Sequence, residues 1–311
     1  TEASGISASW IYDALYEPGM AGHPDIAAFE FFTEQNRVLG AEELRWIASG
    51  LTEEEKQVRL YGRFLHLSGL IHPLFTAAVR QWCCRCDGSV AVIGEGVCPT
   101  CGEGNTLPYQ HVIEPFDWPR RWPVVFVIDP HPRKPSACTW EAVTEDDQWY
   151  QVGELEASGT AEDIAAEIFR YEAAHDLHPR LRLMDPNMAE STNDKMERGW
   201  TMRREFDSVG LRCDKELDTF VVGVGRYNDA LKPDPLTKRP RSQIFSTCTQ
   251  TIYQLARYTW DEWTRQEDLK SPKPRPRDKF KDFPDCKRYL AMANPTFRGL
   301  HRGYDVIRYR G

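Results

Sequence analysis

At 311 residues, 41% of them hydrophobic, the chain has the length for about two domains and enough apolar side chains for an ordinary packed core. No apolar run is long enough for a membrane span, and the start Thr1-Glu2-Ala3-Ser4-Gly5 has neither the basic nor the apolar region of a signal peptide, so no anchoring or crossing of a membrane is expected. A formal net charge of −8 argues against indiscriminate polyanion binding, which rests on many Lys and Arg contacts to phosphate.

In chain order, residues 1 to 70 read as mainly helical, a linker or partial domain. Asp25 to Leu39 is helix-like, and Thr52-Glu53-Glu54-Glu55 starts a capping box that Val58, Tyr61 and Leu65 follow at helical spacing. Five of the nine cysteines then fall between Cys83 and Cys101. Cys83-x2-Cys86, eleven residues and Cys98-x2-Cys101 form two knuckles, each offering two thiolates to one tetrahedral Zn²⁺. Ser89 to Val97 between them reads as strand and turn, so the module is expected to be a small structural zinc ribbon, with Cys84 a bystander. A pair of disulfides is the rival, disfavoured by the leftover Cys138, Cys213, Cys248 and Cys286 and by the missing secretory signal; a reducing cytoplasm fits better.

Leu107 to Pro123, rich in proline and aromatics, reads as an extended connector, with a domain boundary near residues 115 to 120. Strands are expected through Val124 to Asp129, at 136 to 143 and at 148 to 155, with a turn at Thr144-Glu145-Asp146-Asp147. Thr160 caps a helix with Ile164, Ile168 and Tyr171 on one face, and the strand Leu181 to Met184 runs into Asp185. Three antiparallel strands, a helix and another strand are the opening topology of the ribonuclease H fold. Leu217, Phe220, Val221, Val224 and Leu231 mark a further helix, although Gly223 and Gly225 inside it cost roughly 1 kcal/mol each relative to Ala. Ile252, Leu255, Tyr258 and Trp263 mark another.

Asp129 and Asp185 each close a strand, and Asp285 opens the helical segment through Met292. Carboxylates delivered from strand ends and a helix start, far apart in sequence, can converge on a pair of divalent cations and cut a phosphodiester. Glu154, Glu190 and Asp194 are supporting candidates at best, and His131 and His175 read as surface histidines. Lys215, Arg203, Arg204 and Arg226 read as a solvated face or as phosphate contacts. Residues 270 to 311 hold twelve Lys and Arg against four Asp, whereas residues 1 to 69 hold eleven acids against five bases. The basic tail reads equally as a DNA-facing arm or as a solvated, partly disordered end.

A family likeness runs through Gly62-Arg63-Phe64, Gly69 to Phe75, His111-Val112-Ile113, Trp122-Pro123 and Ile128-Asp129-Pro130. It continues through Met184-Asp185-Pro186, Ile244 to Cys248 and Lys281-Asp282-Phe283-Pro284-Asp285-Cys286-Lys287-Arg288-Tyr289. In these segments, over residues 50 to 75 and 111 to 298, the chain resembles the linker and C-terminal nuclease domain of the large subunit of tailed-phage terminases. The resemblance implies an α/β fold with a ribonuclease H-like mixed sheet flanked by helices. It implies cleavage of concatemeric double-stranded viral DNA with Mg²⁺ or Mn²⁺ in the infected bacterial cytoplasm. The expected partners are the terminase ATPase domain, the small terminase subunit and the portal. The family's acidic triad carries over to Asp129, Asp185 and Asp285, with Asp282 competing for the third place; a helix beginning at Pro284 would put Asp285 in its first turn.

The chain departs from the family twice. No G-x4-G-K-[ST] phosphate loop occurs, and the ribbon interrupts the pattern between Phe75 and His111. The first residue is not Met and the acidic pattern starts only after residue 120, so a C-terminal portion of something longer is expected. The implied layout is a helical linker at 1–75, the ribbon at 76–110, the nuclease domain at 111–298 and a basic tail at 299–311. Two other readings stay open: an inactive docking or DNA-binding module, and a resolvase- or transposase-type nuclease of the same fold.

Overall fold

A computed structural model of the chain describes residues 70–86, 88–90, 98, 101, 102, 104, 106–190, 201–215, 219–234, 237–260 and 276–301, with residues 15, 19, 23–29, 40 and 42–44 nearer the start. The chain divides into two compact units, Thr1–Leu70 with Thr259–Pro274 and Ile71–Tyr258 with Arg275–Gly311, and every element below belongs to the second. Most of the expected N-terminal helical region lies outside the described residues; over 26–29 the chain is not helical, contrary to the helix expected from Asp25.

A small antiparallel sheet, ordered β2-β1-β3, is made of β1 (Arg80–Cys83), β2 (Gly88–Val90) and β3 (Thr106–Tyr109). The segment expected to be a connector therefore supplies β3, and it also supplies β4 (Val112–Ile113) to the main sheet. His111 lies between them, fully buried. Its backbone N–H donates to the Thr76 carbonyl and its Nδ1 accepts from the Thr76 N–H, both at 3.0 Å, so Nε2 carries the proton toward the Leu231 carbonyl 2.8 Å away. Burial pulls this imidazole down to about 4, keeping it neutral, and Phe75 stacks on it. The two chain ends that enter and leave the small sheet are thus pinned at its root.

The main sheet has seven strands, adding β5 (Val124–Asp129), β6 (Ser136–Val143), β7 (Trp149–Ala157), β8 (Pro179–Met184), β9 (Asp214–Lys215) and β10 (Ser242–Phe245) in the order β4-β10-β7-β6-β5-β8-β9. Strand β5 is apolar throughout until Asp129 and buried at every position, as suits a strand with neighbours on both sides and layers on both faces. It pairs antiparallel with β6 and parallel with β8. The β6–β7 hairpin turns at Thr144 to Gln148, with Asp147 in the left-handed region (φ 60°).

Helix α1 (Ala161–His175) follows, opened by a reciprocal capping box between Thr160 and Asp163 and closed by Asp176 in the left-handed region. Its Ile164 and Ile168 are buried, while Tyr171 stacks on Trp140 at 4.5 Å. The expected three antiparallel strands, helix and further strand are therefore all present, and the last pairs parallel with β5.

Short helices α2 (Pro186–Glu190) and α3 (Met202–Ser208) precede β9, and α4 (Phe220–Ala230) and α5 (Thr249–Leu255) flank β10. Helix α5 stops short of the expected Tyr258 because the chain leaves the helix there: the Tyr258 carbonyl accepts from the Ile71 N–H while its ring is buried. Helices α6 (Asp282–Ala293) and α7 (Phe297–His301) are the last elements among the described residues.

The sheet is covered on both faces. Trp140 donates its Nε1–H to Glu172 on α1, and its neighbour Glu141 meets Lys287 on α6, so successive residues of β6 address opposite layers. No helix among the described residues is long and apolar enough to cross a membrane.

Candidate active site and four-cysteine cluster

The strand period places the aspartates. The Arg182 guanidinium lies over the Phe126 ring at 5.2 Å and grips Glu172 on α1, so residues 126 and 182 face that layer. Asp129 and Asp185 stand three residues farther along their strands, an odd step that turns both to the opposite face, under α6. Ile128 pairs with Met184 in parallel register, which brings the next residues of the two strands side by side, and the Asp185 N–H donates to the Ile128 carbonyl at 3.2 Å. Asp185 also accepts the Asn187 N–H at 2.9 Å, which fixes its carboxylate at the start of α2.

The third acid arrives from above. Cys286 donates its thiol to the carbonyl of Ala137, the residue paired with Asp129 across β5 and β6, so Asp285 is held over the end of β5. Helix α6 begins at Asp282, two residues before the expected Pro284, with Lys281 as its cap and the Lys281 carbonyl accepting from the Asp285 N–H at 2.7 Å. Proline fits this first turn because the N–H it lacks would have no intrahelical partner there.

Asp129, Asp185 and Asp285 are all buried. Burial, then Asp285, Asp185 and Asp282 in that order, holds the Asp129 carboxyl well above the usual carboxylate range. Burial likewise raises Asp285, against the opposing pull of Arg288.

The two candidates for the third place differ in their partners. Asp282 is committed to Lys134 at 2.5 Å on the periphery, whereas Asp285 is buried among the other acids and accepts from Arg288 Nε at 3.0 Å. Arg288 reaches on to the Tyr289 hydroxyl and packs beneath Gly223 of α4, where an added Cβ would come within 2.5 Å of its Cγ. That close approach accounts for a glycine in mid-helix despite its cost.

Lys281, Lys134 and Arg288 are charged neighbours of the acids that sequence reasoning did not single out. Burial pulls the Lys281 ammonium down, but Asp285, Asp129, Asp282 and Asp278 together leave it raised. Only Lys134 reaches the site across the fold; Arg288 and Lys281 stand three and four residues from Asp285 on the same helical segment, a spacing that could have pointed to them.

Other candidates lie elsewhere. Glu154 accepts from the Gln250 and Thr251 backbone N–H groups and so caps α5. The ring of His131 accepts from the Arg133 and Lys134 N–H groups in its own turn, and His175 is exposed. The side chain of Glu190 and all of Asp194 lie outside the described residues.

Among the described residues, the one group of three or more His, Cys, Asp or Glu ligand atoms within 4.8 Å of one another is Cys83, Cys86, Cys98 and Cys101. Cys83 and Cys101 sulfurs are 3.6 Å apart and those of Cys86 and Cys98 3.8 Å. A tetrahedron with Zn–S bonds of about 2.3 Å has S···S edges of roughly 3.8 Å, so the cluster could hold zinc as it stands. Hydrogen bonding to Cys101, with burial and the other thiols, pushes Cys86 up to about 12, because crowded sulfurs ionise together only around a cation. Cys84 is exposed and outside the cluster.

The aspartates offer a different, oxygen-only donor set.

No protein-family model matches the chain, and neither does any curated protein sequence. Solved structures do. The large terminase of a thermophilic bacteriophage, in complex with ADP, is 14% identical, with a TM-score of 0.48 over 91% of this chain and 58% of that one. The nuclease domain of the P22 large terminase is 16% identical, with a TM-score of 0.43 over 61% of this chain and 91% of that domain. The large terminase nuclease of the thermophilic phage G20c is 10% identical, with a TM-score of 0.38 over 57% and 83% of the two chains. The chain spans less than two thirds of the ADP-bound large terminase, and it is similar in structure to phage large terminases and their nuclease domains.

Proposed function

We propose that the chain is a divalent-metal-dependent endonuclease that cuts double-stranded viral DNA during genome packaging. The observation that carries the reading is the convergence of three buried aspartates, from the ends of two adjacent parallel strands and the first turn of a crossing helix, into one mutually repelling group. The order of short terminase-like motifs along the chain supports the same reading. The proposed layout keeps the ribbon at 76–110 and the nuclease body at 111–298.

Asp129, Asp185 and Asp285 would hold Mg²⁺ or Mn²⁺; their hard, anionic oxygens fit such cations and not the thiophilic ones. Metal bound there would supply activation of water and stabilisation of the leaving oxygen of the phosphodiester. The chain's own part is to fix the donors. Strand register sets Asp129 beside Asp185, the Asn187 N–H orients Asp185, and Arg288 orients Asp285. The buried Lys287–Glu141 pair joins α6 to β6 and so keeps Asp285 over the sheet. Cys83, Cys86, Cys98 and Cys101 would hold a structural Zn²⁺ that folds the ribbon. As part of a packaging motor, the chain would work beside an ATPase domain, a small terminase subunit and a portal in the cytoplasm of the infected host.

Supercoiled-plasmid cleavage tests the reading. Wild type should nick and linearise plasmid with Mn²⁺ or Mg²⁺ and not with EDTA. Asp129→Ala, folded and retaining zinc, should lose about a thousandfold in rate, equivalent to roughly 4 kcal/mol of barrier. Metal-independent cutting, or equal cutting by the variant, would sink it.

A further inference from the structure

Strand β8, which delivers Asp185 at one end, borders a cavity of about 370 Å³ at the other, lined by Arg180, Arg182, Arg203, Asp207, Arg212 and Asp214 among its residues. Arg182 is committed, since its two terminal nitrogens donate to Glu172 at 2.7 and 2.6 Å. Among the described residues no carboxylate lies within ion-pair distance of Arg180, Arg203 or Arg212, although Asp207 and Asp214 line the same cavity. Guanidinium groups gathered around one space repel, and their geometric complement is a phosphate that accepts paired N–H donors. In a chain of net charge −8, a local arrangement of this kind has to supply what the overall charge does not.

The cavity lies around the β9 edge from the aspartates: Arg182, which lines it, faces the α1 layer, whereas Asp185 faces the layer of α6. Strand β9 is the sheet edge beside β8, and both of its residues are exposed. Asp214 pairs with Leu183 and Lys215 with Met184, so Lys215 stands beside the residue before Asp185, and Arg212 lies near the level of Leu181. From Leu181 to Asp185 the strand rises about 13 Å at ~3.3 Å per residue.

We propose that Arg180, Arg203 and Arg212 form a subsite for a backbone phosphodiester of the bound DNA, reached around the exposed β9 edge from the aspartates. The subsite rests on the nuclease reading above. It holds the strand through charge and shape without reading bases, and Lys215 lies on the path between it and Asp185.

The test uses the full chain, with Arg180→Gln, Arg203→Gln, Arg212→Gln and the triple variant, and Arg121→Gln as a control whose partner is Glu145, elsewhere on the surface. Binding of a short fluorescein-labelled duplex is followed between roughly 50 and 200 mM salt, where the slope of log K against log[salt] should fall by about 0.9 for each phosphate that is no longer neutralised. In plasmid cleavage the same variants should raise KM and leave kcat unchanged, while the control alters neither. An unchanged slope in the triple variant, or displacement of the duplex by micromolar inorganic phosphate at constant ionic strength, would overturn the subsite. Arginine-dependent binding by a wild-type chain that never cuts would remove the nuclease reading and leave the subsite standing; cutting with an unaltered slope would do the reverse.

Discussion

The four cysteines lie within a stretch of nineteen residues, and their sulfurs already sit within 4.8 Å of one another. The three aspartates are separated by 56 and 100 residues, and only sheet register and a crossing helix bring them together. The first group is assembled by two local turns and has the edge lengths of a single tetrahedral ion. The second is assembled by the whole fold and gathers buried carboxylates that disfavour one another's charge. The proposed structural zinc and catalytic metal would thus place opposite demands on the chain: one would fold a small module outright, the other would relieve carboxylates crowded in an already folded body.

The largest effect that could break this contrast is removal of zinc. Cys98→Ser should lose the metal and unfold the ribbon, since structural zinc contributes on the order of 10 kcal/mol of binding free energy at neutral pH. Zinc stoichiometry and hydrogen exchange should register the change over 80–109 while β5 to β8 stay protected; Cys84→Ser should change neither. Exchange that spreads evenly through the main sheet would show that the two regions are not built independently.

Next is the join between α6 and β6. Lys287 and Glu141 are both fully buried and paired, so Lys287→Met should cost about 3–5 kcal/mol by leaving a buried charge uncompensated. Glu141→Leu combined with Lys287→Met should recover most of that. Urea denaturation measures both, and a double variant no better than the single would show that the pair does not tie the helix to the sheet.

A smaller effect comes from the aspartates themselves. A carboxyl raised in the folded state binds more protons there than in the unfolded chain, so its contribution to stability falls as pH climbs from the unfolded value near 4 through the raised one. Asp129→Asn removes that penalty. Without divalent metal the variant should melt about 3 °C or more above wild type near neutral pH, and the gap should close toward pH 4. Buried His72 and His111, both lowered to about 4, destabilise the fold in acid but are common to the two proteins and cancel. Added Mg²⁺ should stabilise wild type and reverse the order. A gap that is constant with pH would mean that burial and the neighbouring acids do not raise the Asp129 carboxyl.

How far the sequence discloses these features follows the same division. Where the cause is local, sequence and structure agree: paired C-x2-C knuckles, the all-apolar run of β5, and the Thr160 capping box. Where the cause is a distant partner they part. The early start of α6 is set by Lys281 and Asp282, and Asp282 is tied to Lys134 across 148 residues. The end of α5 is set by Tyr258 turning back to Ile71. Glycine in α4 is only a cost in the sequence, and its reason is Arg288 passing beneath Gly223. The choice between Asp282 and Asp285 is open in the sequence on the same ground: both are acids in one helical turn, and only their neighbours across the fold tell them apart.

The most direct measurement is therefore Mn²⁺-dependent plasmid cleavage by a panel of Asp129→Ala, Asp185→Ala, Asp285→Ala and Asp282→Ala, each shown to be folded and zinc-loaded. The first three should be inactive, and Asp282→Ala should retain cleavage within about tenfold of wild type, as befits a residue that acts only through Lys134. Activity in Asp285→Ala with none in Asp282→Ala would contradict the assignment of the third ligand, and full activity in Asp129→Ala would contradict the nuclease.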